Sequence, residues 1–156
     1  MTQTMVMLDK PTALFPAVDF LGIDLAKSIL KKPLCERPLW ATSLEEVTSA
    51  VDDFCLYFNL VLQNPGEKLV PTVKQDEVWH AFMLHPVAYY NACVRHCGHL
   101  VNHDGGFGLE DNEKAALEEY KHFTIHLWEA VYGFPHPADP RVVGRACCST
   151  CAPKLQ

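Results

Sequence analysis

Residues 76–108 read DEVWHAFMLHPVAYYNACVRHCGHLVNHDGGFG. Five of the eight histidines and two of the seven cysteines lie in this stretch, with one tryptophan and two adjacent tyrosines. Its punctuation sets the fold around it. Pro86 has no N–H and its ring meets the carbonyl four residues back, so a helix running from about residue 73 must break or kink at His85. Pro86 then suits the first position of a second helical segment, which extends to about Cys97. Gly98 suits a left-handed helix exit. The run Asp104-Gly105-Gly106-Phe107-Gly108 is a loop, and it lacks the strand-turn-helix setting of a phosphate-binding loop.

Outward from this stretch, the remaining segments also follow helical rules. Thr72 and Gln75 have capping-box spacing, in which each side chain satisfies a backbone N–H at a helix start. Ser43 and Glu46 repeat that spacing, and Leu44, Val47, Val51, Phe54, Cys55, Phe58 and Leu62 follow as one apolar stripe until Pro65-Gly66. Cys55 lies on that stripe and is expected in the core. Residues 33–41, with Pro33, Pro38 and a buried or spare thiol at Cys35, form a connector. Before them Val18, Leu21, Leu25 and Ile29 step by three and four as one helix from Pro16 to Pro33, weakened at Gly22. The last helix is expected from about Asp111 to Tyr132, with Ala116, Tyr120, Phe123, Leu127 and Val131 facing inward and Gly133 ending it. No segment carries a strand signal. The expectation is an all-α, single-domain bundle of four to five helices over 15–137 with a Pro-kinked central helix. An arm (1–14) precedes it, and a tail (138–156) with Cys147, Cys148 and Cys151 follows.

Composition bounds the function. A chain of 156 residues that is 49% hydrophobic fits one globular domain with a real core. Net charge is −6 and the 13 basic residues form no run, so a nucleic-acid footprint is missing. The start, MTQTMVMLDK, lacks the features of a signal peptide, and no stretch has the length of a membrane span. Seven cysteines without an export signal suggest reduced thiols or metal ligands, and a cytoplasmic protein.

The candidate chemistry is that of metals and protons. Asp76 and His80 share a helix face, where the carboxylate can hold one imidazole nitrogen and leave the other for a metal or substrate. Cys93, His96 and Cys97 cluster on the next segment, with His99 and His103 just beyond. Sulfur and imidazole together favour zinc, copper or ferrous iron over magnesium or calcium, although the spacing is not that of a zinc finger. Trp79, Tyr89 and Tyr90 are packing residues with a polar handle by default. His122 and His126 have ligand spacing but lack a zinc protease's glutamate, and they fall on the polar face of their helix. No serine or cysteine hydrolase motif and no acid pair for glycoside hydrolysis appears.

The runs Leu69-Val70-Pro71-Thr72 to Asp76-Glu77-Val78-Trp79-His80, Leu84-x-Pro86-x-x-Tyr89-Tyr90-x-x-Cys93 and Gly98-x-x-x-x-His103 resemble the signature block of the glycine-rich-domain-containing-protein-like family. With Tyr57 to Leu60, Phe123-Thr124 and Tyr132-Gly133-Phe134-Pro135, the resemblance spans roughly residues 20–137. It implies a helical domain whose pattern residues are Asp76, Trp79, His80, Pro86, Tyr90, Cys93, Gly98 and His103. Where many members have a second histidine after the Trp-His pair, this chain has Phe82 and Met83. His85, His96, Cys97 and His99 are not family positions.

The leading expectation is a metal-binding domain with ligands His80, Cys93 and His103, supported by Asp76 and Trp79. Three ligands leave a position open for Lewis-acid or redox chemistry. Zinc comes first; copper or iron follows if Tyr90, as a catalytic group, and the tail thiols take part. His85, His96, Cys97, His99, Cys147, Cys148 and Cys151 are secondary ligand candidates. The alternative is a non-catalytic interaction module in which the Trp79-His80, Cys93 and His103 motif is packed core. The partner is a small molecule, a protein or a peptide, with no nucleic acid or membrane involved.

Overall fold

In the computed structural model, residues 17–105 and 107–137 are described, and they form six α-helices and no strand. The helices are α1 (Ala17–Leu21), α2 (Leu25–Lys31), α3 (Leu44–Gln63), α4 (Val73–Met83), α5 (Pro86–Cys97) and α6 (Lys114–Tyr132). A short 3-10 turn, Leu34–Glu36, sits in the connector before α3. The expected arm and the tail cysteines Cys147, Cys148 and Cys151 lie outside the described residues.

The expected first helix is two helices, which raises the count from four or five to six. Gly22 takes a left-handed φ of 75°, ending α1, and Asp24 restarts the chain by accepting a bond from the Lys27 N–H. Leu21, Leu25 and Ile29 are buried as the spacing required, but Val18 is 49% exposed.

The helix α3 is the hub, packed against α1, α2, α4 and α5. Ser43 caps it by accepting from the Glu46 N–H. The reciprocal half of the box is absent, because the Glu46 carboxylate instead accepts from Thr42 and Lys74. At α4 the box is complete: Thr72 accepts from the Gln75 N–H, and the Gln75 amide oxygen accepts from the Thr72 N–H. The chain breaks between α4 and α5 as Pro86 demanded, and Gly98 closes α5 at φ 80°.

An aromatic cluster fills the space between α3, α4 and α5. Phe54 and Phe58 stack at 5.4 Å, and Trp79, Phe82 and Tyr89 surround them at centroid distances of 5.6–6.2 Å. Burying each such ring stabilises the fold by about 1.5–3 kcal/mol. Cys55 is buried here as expected, whereas Cys35 is exposed.

The inner stripe of α6 differs from expectation. Leu117, Thr124 and Trp128 are its buried residues, while Phe123 and Val131 stand 41% and 49% exposed. The helix is turned by about one residue because the large indole of Trp128 takes the interior. It meets Tyr132, Phe134 and His136 there, at ring centroid distances of 5.0, 5.6 and 5.0 Å. No helix among the described residues is long and apolar enough to cross a membrane.

Candidate metal centre

Asp76 lies in the first turn of α4 and His80 one turn later, so both project from the same face. The loop after Gly98 returns across that face and brings His103 to them. Two aromatic residues hold the loop. The Trp79 indole N–H donates to the Tyr89 hydroxyl (3.2 Å), and that hydroxyl donates to the Val101 carbonyl (2.7 Å). The Trp79 ring then stacks on the His103 imidazole at 4.4 Å and 28°. Two residues beyond Val101, His103 can only fall beside α4.

Ligand-type atoms of three residues converge there. His103 Nε2 lies 2.8 Å from His80 Nε2 and 3.2 Å from Asp76 Oδ1, and His80 Nε2 lies 3.8 Å from Asp76 Oδ2. Tetrahedral ligation at 2.0–2.1 Å would set ligand atoms about 3.3 Å apart, a value these separations bracket. Among the described residues this is the group of three whose ligand atoms gather within 4.8 Å of one another. The Asp76 and His103 side chains are each 4% exposed and that of His80 is 50% exposed, so the centre has a closed floor and one open edge.

Asp76 therefore stands among the ligand atoms themselves and not only behind His80. Cys93 stands outside the group. It is fully buried on α5 with Tyr89 and Ala92, against Tyr89 and the Val101 backbone. Burial pushes its thiol pKa up. Its contribution is to pack the base of the His103 loop.

The secondary candidates are occupied locally. His85 is the residue before α5, with its Nε2 2.8 Å from Ser28 Oγ. The ring of His96 lies over Phe20 at 4.9 Å; burial, then the charge of Arg95, holds its pKa below the usual histidine range. His99 donates from Nδ1 to the Cys97 carbonyl at 3.0 Å, and the Cys97 thiol lies 3.2 Å from the Cys93 carbonyl. Tyr90 is 55% exposed and points away from the core; its neighbour Tyr89 does the positioning. The spacing of Tyr89, Ala92 and Cys93 marks α5's inner face, and that signal distinguishes the two tyrosines. His122 and His126 are exposed on α6, as their helix face implied.

The residues present could hold a metal ion: two imidazoles and one carboxylate converge from a helix turn and the loop after Gly98. No protein-family model, no curated protein and no solved structure matches the chain.

Proposed function

We propose that this protein is a metal-binding helical domain that holds one divalent transition-metal ion on Asp76, His80 and His103. The convergence of these three ligand atoms, two of them on buried side chains, carries the reading. Zinc is the first expectation, and the same two-histidine, one-carboxylate set suits ferrous iron. With Cys93 out of the group, copper loses the soft sulfur donor that favoured it. A bound ion would supply Lewis-acid polarisation, or redox chemistry if it is iron, at the edge where His80 opens to solvent. Asp76 and His103 would orient the ion, and Trp79 would shield its inner side from water. The resemblance to the glycine-rich-domain-containing-protein-like block belongs to the same proposal: its Asp76, Trp79, His80 and His103 surround this one centre.

The alternative is a packed hydrogen-bonded motif that serves a non-catalytic interaction module. The 2.8 Å contact between His80 and His103 favours it, because two imidazoles sharing one proton hold together without an ion. Chelation separates the two readings. An ion bound only by the folded chain raises stability by mass action, so a chelator should lower the melting temperature. His80→Ala should abolish that sensitivity, and His122→Ala should not. Asp76→Asn should remove metal binding altogether; a partner acting only behind His80 would cost about ten- to a hundredfold in affinity. Protein grown with zinc and iron that carries no ion, and melts identically with and without chelator, would overturn the proposal.

A further inference from the structure

A concave feature lies apart from the candidate metal centre, and none of Asp76, His80 and His103 lines it. It is a groove of about 480 Å³ between the α1–α2 turn and the start of α5, within the roughly 300–1,000 Å³ range of small-molecule sites. Phe20 and Ile23 form one wall, and Val87, Ala88 and Ala92 form the other. Such walls suit an aliphatic body.

The polar lining is one-sided. The chain carries a net charge of −6, yet among the described residues no aspartate or glutamate lines this groove. Its charged lining residue is Arg95, which makes no ion pair among the described residues. Asn91 and His85 add polar atoms, and the Ser28 hydroxyl, 2.8 Å from Nε2, fixes the His85 ring at the head of the groove. A guanidinium favours a carboxylate.

We propose that this groove binds a small amphipathic monocarboxylate, with its chain against Phe20, Ile23 and Ala92 and its carboxylate held by Arg95. The site is independent of the metal centre, so either can fail without the other.

Octanoate, octanol and acetate are the probes, titrated into the full chain and followed by calorimetry and amide chemical shifts. Octanoate should saturate one site and shift the amides of Gly22, Val87, Ala88 and Asn91. Octanol should bind about tenfold more weakly or worse, the worth of a charge-assisted bond, and acetate should not bind. Arg95→Gln should erase the preference for octanoate over octanol while leaving octanol binding and the helical circular dichroism unchanged. Equal binding of octanoate and octanol, an unaltered preference in Arg95→Gln, or shifts confined to other surfaces would overturn the proposal. So would a dimer that Val87→Glu dissociates and octanoate does not, which would make a second copy the occupant.

Discussion

The helices α3 and α6 are nearly equal in length, 20 and 19 residues, yet eleven residues of α3 are buried and three of α6. Enclosure explains the difference. The hub helix meets neighbours on most of its circumference, so nearly every apolar residue it carries finds a partner. The outer helix rests on a few anchors: Trp128 within its ring cluster, Thr124 against Val70, and the Tyr132 hydroxyl donating to the Leu56 carbonyl at 2.7 Å. One length of helix can thus be buried along most of its circumference or held at a few points. The Asp76, His80 and His103 group belongs to the enclosed part, since Trp79 is at once core and backing for His103.

The largest effect should come from cutting each part at its main ring. Phe58→Ala removes a fully buried ring from the cluster beside α3 and should cost about 3–5 kcal/mol. Hydrogen exchange should then accelerate in all helices together, because the hub is lost. Trp128→Ala should release the amides of α6 while those of α3 stay protected, the signature of local opening. Uniform acceleration in both variants would mean that α6 is part of the hub's cooperative unit.

The same contrast explains what the sequence disclosed. Signals confined to a few neighbouring residues were legible: the Thr72 box, the break at Pro86, the exit at Gly98 and the Asp76–His80 spacing. Where a choice rested on tertiary partners, it was not. Glu46 left its box because Thr42 and Lys74 bind it. On α6 two phases of apolar residues compete, and only the pocket for Trp128 decides between Thr124 and Phe123 as the inward residue. At the centre, the loop path placed His103 beside Asp76, while α5's inward face took Cys93 into the core. His103 could be nominated from residue type; its proximity to Asp76 depended on the Trp79–Tyr89–Val101 chain.

A somewhat smaller effect should appear in acid. Burial against Trp128 pushes the His136 pKa from 6.5 down to about 4, because the folded chain accommodates the neutral ring. The unfolded chain takes up that proton near pH 6.5 and the folded chain only near pH 4. The stabilisation is therefore complete above about pH 6.5 and is lost as pH falls toward 4, by about 3 kcal/mol at most. His136→Phe should flatten that part of the stability–pH curve, measured by urea denaturation. An unchanged slope in the variant would assign the acid sensitivity to other groups. If α6 opens separately, its amides should show the acid effect before those of α3.

The smallest effect tests the fastening between the two parts. Thr124 Oγ1 accepts the Val70 N–H at 2.9 Å and donates to the Tyr120 carbonyl at 2.8 Å, so one hydroxyl links α6 to the segment that leads into α4. Thr124→Val keeps the shape and leaves the buried Val70 N–H without its acceptor, a loss of about 1–3 kcal/mol. Thr124→Ser keeps the hydroxyl and gives up one methyl group, which should cost about 1 kcal/mol or less. The distinguishing readout is the amide of Val70, whose exchange should accelerate in the valine variant and stay near wild type in the serine variant. Its carbonyl neighbour Leu69 accepts from the Tyr57 hydroxyl at 2.9 Å, so α3 should still hold the segment when α6 lets go. A valine variant as stable as wild type, with Val70 still protected, would show that the link contributes nothing to joining α6 to the hub.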